Sequence, residues 1–151
     1  MIEVRESPQH GRGVFAVTPI PRGTVVLEFH GPHLAAHEVA PDSYHLQIDE
    51  FEYLGASHEA DDYVNHSCDP NCGIGENLRL LALRDIVAGE EISWDYSTAI
   101  DEAGFQGFPC RCGARTCRGL VRSFRDLTDT DRRRLWPFLM PYLRRKYPGV
   151  R

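Results

Sequence analysis

The sequence predicts a mainly β fold that closes with a helical C-terminal segment. Short runs of β-branched and aromatic residues, each bounded by Gly or Pro, recur as far as Tyr96, the pattern of strands joined by tight turns. Apolar residues take up helical spacing only after Thr128. A chain of 151 residues can bury one substantial core, so one main domain with an appendage is expected.

Taken in order, Val4, Gly11 to Val17 and Gly23 to Phe29 are predicted strands with turns. Gly11 and Gly13 permit positive φ and close backbone approach, so the turn they frame is either a plain hairpin turn or one that admits a ligand. Residues 31 to 43, with Gly31, Pro32 and Pro41, read as a loop or short helix. Tyr44 to Ile48 alternates as a strand does, and Phe51 to Leu54 should pair back onto it. His58 to Tyr63 can form one helical turn. Pro70 bars helix at Asp69, so Asn65-His66-Ser67-Cys68-Asp69-Pro70-Asn71-Cys72 is expected to be a rigid, irregular loop that presents amides, an imidazole and thiols. Leu78 to Leu83 and Ile92 to Tyr96 are strands, and Ser97 to Phe108, rich in Gly, Asp, Glu and Ala, is a mobile link. Thr128 begins a helix carrying Leu135, Trp136, Phe138, Leu139, Tyr142 and Leu143, kinked or restarted at Pro137 and ended by Pro148-Gly149. Its apolar face must pack on the domain or across a homodimer.

Charge separates along the chain. Residues 1 to 109 carry five Arg against nineteen Asp and Glu, a balance of −14, and residues 110 to 151 carry twelve Lys and Arg against three Asp, a balance of +9, which together give the net −5. An acidic body with a basic tail suits a cationic substrate, or a tail that packs on the body. The first six residues hold no apolar run, and no stretch approaches the ~20 apolar residues of a membrane span, so an intracellular, preferably cytoplasmic, protein without membrane partners is expected, a nuclear place being the other option. In a reducing compartment five cysteines point to metal binding or burial rather than disulfides.

Cys110, Cys112 and Cys117 form C-x-C-x4-C in a loop too short for its own core. Zinc is the usual staple for such a loop, and its closed tetrahedron needs a fourth ligand, for which Cys68 and Cys72 are the candidate thiolates. Either would pin the late cluster onto the mid-chain loop, with Arg111, Arg115 and Arg118 offsetting the thiolate charge.

Six pieces, Gly11-Arg12-Gly13, Glu28-Phe29-His30-Gly31, Tyr44, Asn65 to Cys72, Gly89 to Tyr96 and Cys110 to Cys117, resemble in order and spacing the SET-domain protein-lysine methyltransferases with a post-SET zinc motif, over residues 2 to 121. The resemblance implies small curved β-sheets with a pseudoknot. It divides the chain into a SET domain over 1–97, a linker over 98–109, the zinc motif over 110–121 and a helical extension over 122–151. It further implies that S-adenosylmethionine is bound by the turn at Gly11, Arg12 and Gly13, by Tyr44, and by Asn65 with His66, with Phe108 or Leu120 near the adenine. By the same resemblance Cys68 completes a structural zinc site with Cys110, Cys112 and Cys117, Tyr96 is the catalytic tyrosine, and Cys72 is a buried thiol. Phe29, Trp94 and Tyr96 would line the lysine channel. Phe29 stands where many relatives carry tyrosine, and Trp94 where they carry the phenylalanine or tyrosine that influences how many methyl groups are added.

Methyl transfer from a sulfonium to an amine needs alignment and a neutral nucleophile rather than a strong acid. Lysine, with a pKa of about 10.4, is neutral in only about one part in a thousand at physiological pH, so a poorly hydrated aromatic channel contributes directly. The expected function is therefore S-adenosylmethionine-dependent methylation of a lysine in a basic protein. A catalytically silent module of the same fold is the alternative, and nucleic-acid binding through Arg132 to Arg134 and Arg144 to Lys146 is less favoured.

Overall fold

In the computed structural model, which describes residues 1–150, the alternating apolar runs become short strands and the Pro- and Gly-rich stretches become turns. Twelve strands and two α-helices follow in order: β1 (Ile2–Glu6), β2 (Arg12–Ala16), β3 (Val25–Glu28), β4 (His33–Ala35), β5 (His45–Gln47), β6 (Glu52–Gly55), β7 (Asn65–His66), β8 (Cys72–Ile74), β9 (Arg79–Ala82), β10 (Glu91–Trp94), β11 (Phe108–Pro109), β12 (Leu120–Val121), α1 (Asp129–Leu135) and α2 (Pro141–Lys146). They form four small sheets, ordered β1-β2-β10-β7, β3-β9-β8, β4-β6-β5 and β11-β12. All pairs are antiparallel except β7 with β10, whose parallel register sets Asn65 opposite Ser93 and His66 opposite Trp94. That single parallel pair lays the mid-chain loop beside the segment that ends in Tyr96.

Three stretches differ from the sequence reading. Residues 33–35, expected in a loop or short helix, are strand β4, because the edge of β6 offers unpaired backbone groups to which they bond. The mid-chain loop is irregular only between Ser67 and Asn71, since its ends pair as β7 and β8. The stretch expected to be a mobile link is anchored at its start. Asp95 caps a 3-10 turn over Tyr96–Thr98, accepting from the Ser97 N–H at 3.0 Å, and Ser97, Thr98, Ala99 and Asp101 are all buried. Its backbone is claimed from two sides: Phe124 N–H donates to Ile100 O at 2.7 Å, and Met140 N–H to Thr98 O at 2.9 Å.

Thr128 caps α1, as its position suggests, its hydroxyl accepting from the Asp131 N–H. Pro137 lies in a 3-10 turn over Trp136–Phe138, after which the chain restarts as α2. The apolar face of this segment packs on the domain: Phe124, Leu135, Leu139, Met140 and Leu143 share one buried cluster with Val14, Ile20, Leu80, Ile86 and Ile92. Part of the basic tail is likewise spent on the acidic body. Arg145 pairs with Asp49, Arg144 with Glu76, and Lys146 with Glu50 at 2.8 Å. Asp101, its side chain fully buried, collects Arg125 at 3.1 Å, Lys146 at 3.0 Å and the Tyr147 hydroxyl at 3.0 Å. The exposed pairs contribute little, but leaving the buried carboxylate unpaired would be costly.

Two outcomes follow from this packing. Leu139→Ala removes a fully buried side chain from the shared core and should cost about 2–5 kcal/mol, with one cooperative thermal transition retained. Two separate transitions would show that the C-terminal segment is an independent unit. Burial raises the Asp101 pKa, but bonds from Arg125, Lys146 and Tyr147 outweigh it and hold the carboxyl below its usual value of 3.8. A depressed carboxylate stabilises the fold above its unfolded pKa, so this contribution is present at neutral pH and is lost as pH falls below about 4. Asp101→Asn should flatten that acid limb in a pH series of urea melts.

Candidate active site and metal centre

Strand β7 delivers the chain into Cys68, which is fully buried, and the β11-β12 pair folds the late cysteines back against it. The sulfurs of Cys68, Cys110, Cys112 and Cys117 all lie within 4.8 Å of one another, with Cys68 and Cys110 at 3.7 Å. A tetrahedral zinc with Zn–S near 2.3 Å spaces its sulfurs about 3.8 Å apart, so the four thiols fit one structural Zn2+. Backbone N–H groups already point at the sulfurs: Cys68 N at Cys112 (3.5 Å), Arg118 N at Cys68 (3.4 Å) and Gly119 N at Cys117 (3.4 Å). The remaining thiol, Cys72, is fully buried in β8 and pushed up to about 12 by burial, an inert core group. Of the three arginines expected to offset thiolate charge, only Arg118 turns inward; Arg111 and Arg115 are exposed, because the short loop leaves them no inner face.

Two hydrogen-bonded paths run from this centre to Tyr96. In the first, His66 Nδ1 accepts the Tyr96 N–H at 3.0 Å, so the ring proton sits on Nε2 and is donated to the Cys68 sulfur 3.3 Å away. Burial, opposed by Asp95 and assisted by Arg118, pushes His66 down to about 4, which keeps the imidazole neutral for this role. In the second, the Arg118 guanidinium donates to Asp95 Oδ1 at 2.8 Å, the same carboxylate that caps the turn beginning at Tyr96. No pattern in the sequence singled out the Asp95–Arg118 pair, whose partners lie twenty-three residues apart.

Tyr96 stands on a wall common to two cavities. One, of about 440 Å³, is lined by Phe29, Trp94, Tyr96, Ile100, Phe105 and Phe108 and by the carboxylates Asp42, Asp61, Asp62 and Glu102. The other, of about 690 Å³, is lined by Gln9, His10, Tyr44, Asn65, His66, Phe108, Arg111 and Val121 among others, aromatic faces and polar groups of the kind a nucleoside-sized ligand with a charged end requires. Tyr44, Tyr96 and Phe108 border both. Phe29, Trp94 and Tyr96 form a row, with ring centroids 5.4 and 4.9 Å apart, and Phe108 meets Tyr96 edge-on at 6.3 Å. The Tyr96 hydroxyl donates to Val64 O at 2.7 Å, and burial pushes its pKa well above the usual phenol value.

Other predicted residues sit differently. Gly11, Arg12, Gly13 and Leu120 do not line the larger cavity; their neighbours Gln9, His10 and Val121 do, and sequence reasoning missed these. Of the two glycines of this turn only Gly11 uses positive φ, at +49°, whereas Gly13 is needed because a Cβ there would overlap the Glu91 carboxylate and come within 3.2 Å of the Asn65 amide. The Asn65 side chain is spent on the turn itself, bonding Arg12 O at 3.0 Å and Glu91 at 2.7 Å, and Arg12 lies over the Tyr63 ring at 4.6 Å.

The SET domain family model matches residues 11–97. Human histone-lysine N-methyltransferase 2B is 32% identical over 138 residues, covering 78% of this chain and 5% of that protein. The H3 lysine-4 specific histone-lysine N-methyltransferase of Schizosaccharomyces pombe is 34% identical over 133 residues, covering 74% of this chain and 14% of that protein. Among solved structures, KRYPTONITE in complex with mCHH DNA, an H3(1-15) peptide and SAH is similar with a TM-score of 0.67 and 26% identity, over 80% of this chain and 29% of that one. The chain thus spans only a small part of the curated relatives it matches.

Withdrawing the metal should loosen Tyr96 before it loosens the core. In chelator-treated protein, or in Cys110→Ser, amide exchange at Tyr96 and Ser97 should rise by at least about tenfold while Val14 in β2 keeps its protection. Equal protection of Tyr96 with and without zinc would sever the link drawn above.

Proposed function

The chain belongs to the SET-domain family, and from that membership we propose that it transfers a methyl group from S-adenosylmethionine to the side-chain amine of a lysine in a basic protein. The carrying observation is the pair of cavities that meet at Tyr44, Tyr96 and Phe108. The larger takes the cofactor and the smaller, acidic and aromatic, takes the lysine. The cofactor supplies, when bound, a sulfonium methyl whose departure to nitrogen returns the bonding pair to sulfur.

The protein's own part is alignment and desolvation. Phe29, Trp94 and Tyr96 give the amine a wall with no charged group, which favours its neutral form, the proton having left to water. Phe29 in place of tyrosine removes a hydroxyl from that wall and makes it drier. The Tyr96 hydroxyl spends its proton on Val64 O, so its lone pairs remain to orient the amine or the polarised methyl. The carboxylates of the smaller cavity hold a cationic segment in place, with no lysine or arginine among its walls to compete. His66 and Asp95 act behind Tyr96 as props, and zinc through Cys68, Cys110, Cys112 and Cys117 roofs the cofactor cavity at Cys110 and Cys112.

Residues 1–97 are read as the SET body, 98–109 as the connection, 110–121 as the zinc motif and 122–151 as the extension that supports the cleft from behind. The relatives are named for histones, which favours a chromatin substrate over the cytoplasmic place expected from the sequence. Nucleic-acid binding by the tail is not part of this reading, since Arg132, Arg134, Arg144, Arg145 and Lys146 are engaged by carbonyls or carboxylates, which leaves Arg133 as the one exposed cation of that set without such a partner among the described residues.

Labelled methyl transfer from S-adenosylmethionine to core histones and other basic proteins tests the proposal. Transfer should occur, blocked by peptide lysine competitors, and Tyr96→Phe should lower kcat by about 10²–10³ with cofactor affinity within about threefold of the parent. Cofactor binding without transfer to any basic protein would instead identify a silent module.

A further inference from the structure

A third cavity, of about 650 Å³, adjoins the acidic one and shares His45, Tyr53 and Glu102 with it. Its remaining walls include Val39, Ala40, Pro41 and Phe51, the last 70% exposed, with Glu50, Asp101 and Arg125 among the polar groups. Most of that charge is already used within the protein. Arg125 is bound to Asp101 at 3.1 and 3.3 Å, and Glu50 holds Lys146 at 2.8 Å. Glu102 is the exception.

Its main chain is fixed on both sides by Ser123, whose hydroxyl accepts from Glu102 N–H and donates to Glu102 O, each at 2.9 Å. One carboxylate oxygen, Oε1, accepts from the Tyr53 hydroxyl at 2.9 Å. Burial first, and then this bond, push the Tyr53 pKa above the usual phenol value, so Tyr53 stays a donor and sets the carboxylate's orientation. Among the described residues no lysine, arginine or histidine pairs with Glu102, so Oε2 remains without a cation at the junction of the two cavities. A positioned carboxylate beside an exposed aromatic and aliphatic floor is the recognition pattern of a long cationic side chain, which lays its stem on the apolar surface and its head on the charge.

We infer that the third cavity is a subsite of the substrate cleft, which takes a second basic side chain of the methylated segment, stem on Phe51 and Pro41 and head on Glu102. The inference rests on the smaller acidic cavity being the lysine site. It makes the substrate class narrower than any exposed lysine: an extended segment carrying the target lysine and a second cation within a few residues of it.

The test uses the full chain with SAH present, and synthetic lysine-centred peptides in which one flanking arginine is placed at each position in turn and then replaced by citrulline, which keeps the shape and removes the charge. Calorimetric Kd should weaken by about threefold to tenfold on citrulline substitution at one flanking position for the parent protein, and by less than about twofold in Glu102→Gln, which keeps the Tyr53 bond. Ala40→Trp, which fills the cavity from its apolar side, should abolish the preference as well, and in turnover both variants should raise KM for the arginine peptide more than for its citrulline counterpart. Full discrimination in Glu102→Gln, or none in the parent, overturns the subsite. Because binding is read without turnover, discrimination with no methyl transfer would sink the proposed reaction and leave the subsite standing, whereas transfer without discrimination would do the reverse.

Discussion

Cys68 comes from the middle of the chain and Cys110 from near its end, yet their sulfurs lie 3.7 Å apart, and the form of the site depends on that meeting. Neither the loop over 67–71 nor the loop over 110–119 has a core of its own: Asn71 ties the first to β10 through Glu91 O and the Ser93 N–H, and the thiols tie the second to the first. Bringing them together costs chain entropy that grows only slowly with the length of intervening chain, and a tetrathiolate zinc centre readily offsets it. The consequence is spatial: the zinc lobe cannot be placed without also placing the larger cavity's wall at Phe108, Cys110 and Cys112.

The same centre reaches the reacting region without touching it. Cys68 sulfur accepts from His66, and His66 accepts from the Tyr96 backbone; Arg118, adjacent to Cys117, holds Asp95, which caps the turn at Tyr96. The two paths enter Tyr96 from different directions, one through its own N–H and one through the residue before it. With its backbone held this way and its hydroxyl donating to Val64 O, the phenol has little freedom to adopt a second orientation, which is what the proposed transfer, governed by alignment, demands. The arrangement also explains why His66 is neutral: a charged ring would have to donate from Nδ1, where a backbone N–H already occupies the approach.

How much of this could be read in advance follows the physics of each part. The thiol spacing, Pro70 and the strand-like runs were legible because ligand number, fixed φ and alternation are local constraints. Strand β4 was not, since its three residues have no pattern of their own and become a strand only because β6 presents an edge. The burial of Ser97 to Asp101 was hidden for a similar reason: small and acidic residues look like a link until Phe124 and Met140 bond their backbone and Arg125 and Lys146 neutralise Asp101. Within the site, Phe29, Trp94 and Tyr96 were legible as a group, whereas Gln9, His10 and Val121 line a cavity by virtue of the turn and sheet that carry them and not by any chemistry of type.

The separation of charge along the sequence resolves into something more specific once the chain is folded. Four of the tail's cations, Arg125, Arg144, Arg145 and Lys146, are taken up by Asp49, Glu50, Glu76 and Asp101 on the body. What they leave behind is uneven. The carboxylates around the smaller cavity, Asp42, Asp62 and Glu102, receive none of them, and no lysine or arginine lines that cavity. A uniformly neutralised surface would have steered nothing, whereas internal pairing behind the cleft and unpaired carboxylates within it focus the negative potential at the cleft. Lys146, the single lysine of the chain, is bound between Glu50 and Asp101, so the protein presents the cleft with no free lysine of its own to occupy it.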